Sequence, residues 1–224
     1  LSDSTSASPA TLLEGREGFF DAEGVSSPVV YQVEDEWRML YAGEADGFRK
    51  IGLARSENGL TWVADAEPVL LPGETWDALS VQPGSVVESE DGWTLWYTGS
   101  NGSQERIGRA VSIDGVAWVK EDDAVVTEGS PGAFDDSSVA DPWVLYGEDG
   151  IVHLWYSGND GDRWSVGYAW SDDDGATWVP TTGPVSEESW PVLTGVEGSF
   201  DSTAARRPVV SIQEDGSFQM LYTG

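Results

Sequence analysis

The stretch Trp76-Asp77-Ala78-Leu79-Ser80-Val81-Gln82-Pro83-Gly84-Ser85-Val86-Val87 decides the fold, together with Trp93-Thr94-Leu95-Trp96-Tyr97-Thr98-Gly99, then Ile107-Gly108-Arg109-Ala110, then a turn ending at Trp118. It is one copy of a recurring unit. Aromatic-Asp pairs stand at Phe20-Asp21, Trp76-Asp77, Phe134-Asp135 and Phe200-Asp201. Each leads, six residues on, into a short apolar strand: Pro28-Val29-Val30, Gly84-Ser85-Val86-Val87, Pro142-Trp143-Val144 and Pro208-Val209-Val210. A second strand comes next in each unit and ends in Tyr-small-Gly at Gly43, Gly99, Gly158 and Gly224. A third strand, Ile51-Gly52-Leu53-Ala54 in the first copy, leads into a Ser-Asp/Glu-Gly turn and a Trp at 62, 118 and 178; the fourth copy stops before it. The four Asp positions lie 56 to 66 residues apart, the spacing of blade-like repeats.

Each unit holds three clear strands, and a fourth is expected around the Trp and the next Pro-Val-Leu, as at Pro68-Val69-Leu70 and Pro191-Val192-Leu193. Apolar residues fall on both faces of the second strands, as a sheet packed between two others requires. No amphipathic helix is evident. The expectation is an all-β fold: a β-propeller of about four to five four-stranded antiparallel blades, or an incomplete five-bladed ring. Residues 1–224 read as one propeller domain, with units at about 19–75, 76–133, 134–199 and 200–224. Residues 1–18 carry Pro9-Ala10-Thr11-Leu12-Leu13, which resembles the end of a unit, and are expected to complete the last blade.

Composition narrows the function. The chain has 224 residues, 12 Trp, 27 Gly and no Cys, which excludes disulfides, thiolate metal sites and a Cys nucleophile. A net charge of -29 repels phosphate backbones and anionic lipid, so nucleic-acid binding and membrane insertion are not expected. The single His153 rules out His clusters and a Ser-His-Asp triad. No cofactor is implied, although the acidity leaves a calcium ion in the central channel open.

The units resemble those of five-bladed glycosidase propellers, the architecture of glycoside hydrolase families 43, 32 and 130. The residues that carry this are Trp76-Asp77, Leu95-Trp96-Tyr97-Thr98-Gly99, Ile107-Gly108-Arg109-Ala110 and Ser112 to Trp118. One turn, Ser171-Asp172-Asp173-Asp174-Gly175-Ala176-Thr177-Trp178, also fits the sialidase Asp-box pattern, a structural turn. The resemblance implies a carbohydrate partner and two carboxyl groups around the central cavity. An extracellular or periplasmic setting, and other domains of a larger chain as further partners, are separate expectations.

Asp141-Pro142 breaks the repeat where the other units have Ser27, Pro83 and Arg207. A repeat preserves structural residues and varies those that do chemistry, so Asp141 is the first catalytic candidate. It resembles the Asp-Pro step of those families. Asp21 and Asp136 are the further carboxylate candidates, with Glu23 behind them. Asp21 belongs to a set present in every unit, which equally suits a structural acceptor. Arg206 and Arg207 could bind substrate through forked hydrogen bonds or pair with Asp141 across the channel. Trp143 and Trp164 are off-pattern aromatics suited to stacking on sugars. No Glu is apparent at an inner-strand position for the acid. The leading expectation is a glycoside hydrolase; a non-catalytic glycan-binding module and a structural or protein-interaction propeller are the alternatives.

Overall fold

The structure, a computed structural model, describes residues 11–148, 150–183 and 189–224. Three four-stranded antiparallel meanders succeed one another. They are β1 (Gly24–Val33), β2 (Glu36–Ala45), β3 (Phe48–Ser56) and β4 (Val63–Ala64); β5 (Ser80–Ser89), β6 (Gly92–Ser100), β7 (Glu105–Ser112) and β8 (Val119–Lys120); β9 (Ser138–Tyr146), β10 (Val152–Asn159), β11 (Trp164–Ser171) and β12 (Val179–Pro180). A hairpin, β13 (Arg206–Ile212) and β14 (Phe218–Thr223), forms the fourth unit. No helix occurs among the described residues, and the all-β propeller architecture is as the repeats predict.

The fourth strand is shorter than expected. It has two residues in each complete blade, and the later apolar segment makes single bridges instead: Ile51 with Leu70, Ile107 with Val126, Val166 with Leu193. The expected closure by residues 1–18 falls largely on residues 1–10, which lie outside the described residues. Leu13 packs on the outer face of the first blade with Phe20, Met39 and Tyr41.

The recurring residues of the repeat form a clamp. Each Asp accepts the phenol O–H of the second-strand Tyr: Asp21 from Tyr41 at 2.8 Å, Asp77 from Tyr97 at 3.3 Å, Asp135 from Tyr156 at 2.8 Å, Asp201 from Tyr222 at 2.9 Å. The preceding aromatic lies against the same Tyr, with centroids 5.5–6.0 Å apart. Two glycines make room for these rings. A Cβ on Gly52 would stand 2.5 Å from Phe20, and one on Gly108 2.6 Å from Trp76. Burial and the adjacent carboxylate push the Tyr41, Tyr97 and Tyr156 phenols well above their ordinary value.

The core lies between blades. Leu40, Leu53, Leu95 and Tyr97 form one cluster; Trp96, Ile107, Val139 and Leu154 form the next. Seven consecutive residues of β6 are buried, so both faces are covered. Leu221 of β14 is 69% exposed while its counterpart Leu40 is fully buried, because the last hairpin has a neighbour on one face only. Inner strands β1, β5, β9 and β13 meet in sequence, but β13 does not meet β1, so the ring formed by these units is open there.

Candidate functional site

Every inner strand carries a β-bulge at the same level: between Ser26 and Val29, Pro83 and Ser85, Ala140 and Trp143, and Arg206 and Val209. A bulge inserts one residue, bends the strand and re-aims side chains. At Ser27, Asp141 and Arg207 the backbone is left-handed, with φ of 51°, 51° and 56°. The four bulges converge on a cavity of ≈ 250 Å³ at the propeller axis, lined by Ser27, Pro83, Asp141, Trp143, Arg207 and neighbours.

The bulges are stitched to the preceding blade. The Asp141 N–H donates to Thr98 Oγ1 at 2.9 Å, and the Arg207 N–H donates to Ser157 Oγ at 2.9 Å. In the second blade the bulge residue is Pro83, which has no N–H. The residue of the first blade that would face it, at the register of Thr98 and Ser157, is Ala42, which has no hydroxyl. Donor and acceptor are lost together, so no buried group is left unpaired.

Asp141 is held by Arg206, whose Nη2 and Nε lie 2.8 and 3.1 Å from Asp141 Oδ2. Arg207 Nε stands 3.8 Å from Asp141 Oδ1, and its side chain is 56% exposed. The Arg206 guanidinium also lies over the Trp164 ring, 4.1 Å from its centroid. Asp141, Arg206, Arg207 and Trp164 therefore come together, and the mouth holds arginines where the sequence suggested an acidic channel. Among the described residues, no three Asp, Glu or His side chains are grouped as a metal site.

The other candidates stand elsewhere. Asp21 is fully buried in the first clamp, where Arg16 Nε (3.0 Å) and Tyr41 occupy its carboxylate. Asp136 accepts the Gly132 N–H at 2.7 Å in a surface turn. Glu23 accepts the Asp46 N–H at 3.2 Å. Trp143 lines the cavity, but its indole N–H donates to the Val210 carbonyl at 2.8 Å between blades. His153 sits in an aromatic stack with Trp155, Tyr168 and Phe218. In the turn at 171–178, Asp173 accepts the Thr177 N–H and O–H at 2.9 and 2.6 Å, local bonds that order the turn.

Glu105, which sequence reasoning missed, lies in a neighbouring cavity on the electrostatic edge of this cluster. It opens β7 and lines a second cavity of ≈ 270 Å³ with Glu44, Phe48, Arg49, Leu79, Ser80 and Ser100. Its equivalents, first or second in the third strands, are Arg49 and Trp164, each paired with the penultimate or last residue of the second strand: Glu44 with Arg49, Ser100 with Glu105, Asn159 with Trp164. Each of these three leans on the inner strand of the next blade. Arg49 pairs with Ser80 and reaches Gln82 Oε1 at 3.4 Å; Trp164 pairs with Ala204 and reaches Arg206. The Glu105 N–H donates to Ser138 Oγ at 3.2 Å, and two residues on from Ser138 stands Ala140, which offers no polar group. Among the described residues, no hydrogen bond or ion pair engages the Glu105 carboxylate, in contrast to Glu44, which Arg49 Nη2 pairs at 3.0 Å. Burial raises the Glu105 pKa from its ordinary value, and the charge of Asp141 adds to this; Arg206, Arg49 and Arg207 act in the opposite direction.

Comparison with known proteins agrees with this architecture. Residues 44–130 match the family model described as beta-1,4-mannooligosaccharide phosphorylase. An uncharacterized protein of Mycobacterium tuberculosis is 28% identical over 231 aligned positions, which cover 95% of this chain and 71% of the relative. A candidate glycosidase of Bacteroides thetaiotaomicron superposes with a TM-score of 0.77 at 20% identity, covering 94% of this chain and 68% of that one. A structure from the GH130 family of mannoside phosphorylases, described as containing hydrolases that target beta-1,2 mannosidic linkages in Candida mannan, superposes with a TM-score of 0.70 at 16% identity, covering 94% and 66%. The chain thus carries the glycosidase-type β-propeller fold, and its second blade falls within the segment that matches the mannooligosaccharide phosphorylase model.

Proposed function

We propose that this chain acts on carbohydrates and cleaves a glycosidic bond at the axial mouth, with Glu105 as the proton donor. The observation that carries this reading is the contrast between two carboxyl groups within electrostatic reach of one another. The Glu105 carboxyl is unpaired among the described residues and burial favours its protonated form, whereas Asp141 is in an ion pair with Arg206. One carboxyl group free and buried, the other ion-paired, divide the acid role from the charge-stabilising role. Glu105 would give its proton to the leaving oxygen as the bond to the anomeric carbon breaks. Asp141 and Arg206 would orient the sugar.

The acceptor that best suits this mouth is inorganic phosphate. A hydrolase needs a base to activate water, yet both other carboxylates near Glu105 are in ion pairs, Asp141 with Arg206 and Glu44 with Arg49. A phosphate dianion supplies its own nucleophilic oxygen, and Arg207 has guanidinium donors that no bond from the described residues occupies. The match to a phosphorylase family model supports the same acceptor.

The test is incubation with a panel of manno-oligosaccharides and other glycans, with and without phosphate, using wild type beside Asp141→Asn. Sugar 1-phosphate formed only with phosphate, and lost in the variant, is the expected result. Free sugar formed without phosphate would make the protein a hydrolase. Turnover of none of the glycans would remove the reading.

A further inference from the structure

Trp164 is suited to stacking on a sugar, yet one face of its ring is already covered. The Arg206 guanidinium lies 4.1 Å from its centroid, in the geometry of a cation–π contact. The backbone fixes the two residues relative to one another. The Ala205 N–H donates to the Trp164 carbonyl at 3.0 Å, and Ala204 bridges Trp164 in parallel, immediately before Arg206. Among the described residues, the guanidinium of Arg206 makes its polar contacts with Asp141 alone, through Nη2 and Nε on one oxygen. Without the ring, a long side chain that is 24% exposed has rotamers leading away from Asp141.

We propose that Trp164 is a positioning residue: its indole holds Arg206 against Asp141, and so keeps the charge of Asp141 compensated beside Glu105. This rests on the reading of Glu105 as proton donor for its catalytic meaning, though not for its electrostatics. The charged groups that bear on Glu105 come from three neighbouring elements: Asp141 on β9, Arg206 and Arg207 on β13, and Arg49 on β3, with Glu44 of β2 in the same cavity. Of these, Asp141 raises the proton affinity of Glu105 and the three arginines lower it. Releasing Arg206 removes one of the three compensating charges, while Arg49 and Arg207 remain. Glu105 then holds its proton to higher pH. A general acid works while protonated, so the alkaline limb of the rate profile moves upward with it.

The same level of the other blades supports the assignment. Arg49 meets Gln82 as Trp164 meets Arg206, so the third strand of one blade sets the side chain of the inner strand in the next.

The test compares wild type with Trp164→Leu, Trp164→Phe and Arg206→Gln. Carboxyl-carbon NMR follows the titration of Glu105 in each protein, without any substrate. Trp164→Leu and Arg206→Gln are expected to titrate at higher pH than wild type, while Trp164→Phe, which keeps an aromatic face, stays close to wild type. On a substrate that the wild type turns over, the alkaline limb shifts in the same order. Glu105 titrating alike in wild type and in Trp164→Leu overturns the proposal, and so does an equal shift in Trp164→Leu and Trp164→Phe. Absence of turnover in every protein bears on the glycoside reading and leaves the NMR comparison as the deciding measurement for Trp164.

Discussion

Replacing Thr98 by Val tests how the mouth is held together. Thr98 is 2% exposed, and its Oγ1 accepts the N–H of Asp141, whose φ of 51° places it in the left-handed bulge. Valine keeps the shape and the β-branching and removes only the acceptor. A buried donor left unpaired costs about 1–3 kcal/mol; Asp141 is half-buried, which favours the lower part, about 1–2 kcal/mol. For a chain of this length that corresponds to a fall in Tm of roughly 2–8 °C. The control is Thr94→Val on the same strand. Thr94 is also buried, and no N–H of the described residues addresses its side chain, so its replacement is expected to leave Tm nearly unchanged. Calorimetry on the two variants and wild type gives the answer. Equal Tm values for Thr98→Val and Thr94→Val would refute the reasoning, because the stitch between blades would then contribute nothing.

Three other expectations come from the repeat. Gly108→Ala places a Cβ 2.5 Å from the Tyr97 ring and 2.6 Å from Trp76, and overpacking at two rings is expected to cost about 2–3 kcal/mol in denaturant unfolding. Tyr97→Phe removes the phenol that donates to Asp77 and is expected to cost about 1–2 kcal/mol by the same measurement. Asp114 and Asp173 accept several turn N–H and O–H groups, which lowers both from 3.8 to about 2. A folded pKa below the unfolded one gives stability that is present above pH 4 and is lost as pH falls from about 4 to 2. Asn58 makes the equivalent bonds with an amide oxygen, so an Asp114→Asn, Asp173→Asn double variant is expected to show a shallower decline of Tm across that window.

The fold was legible because its signals are local and repeated. Aromatic-Asp, Tyr-x-Gly and the third-strand Gly recur at nearly fixed offsets, and each is required by one clamp in which the two glycines make room for two rings. Asp141 was legible as a break in that pattern, and its pairing with Arg206 was one of two open readings. Glu105 shared the same kind of signal. Six residues after the Tyr-x-Gly glycine stand Arg49, Glu105 and Trp164, three unlike residues at one position of an otherwise regular repeat. The inner strands carry no such Glu; this position stands at the start of a third strand, beside the inner strand of the next blade. Its unpaired state depends on Ala140 of the next blade, a relation across blades that no local window contains. Likewise, the partners of Asp21 and Asp136 were not visible from spacing. Asp21 is filled by Arg16 and Tyr41, and Asp136 by a turn N–H.

The central claim, that Glu105 gives the proton to the leaving group at the mouth, is tested most directly by Glu105→Gln on two substrates that differ only in the leaving group. One is a glycoside with a sugar leaving group, which needs protonation. The other carries a strongly acidic phenol, which departs without it. The variant is expected to lose about 10²–10⁴-fold in rate on the first and to keep most of its activity on the second. Equal losses on both substrates, or a variant as fast as wild type on the first, would contradict the claim.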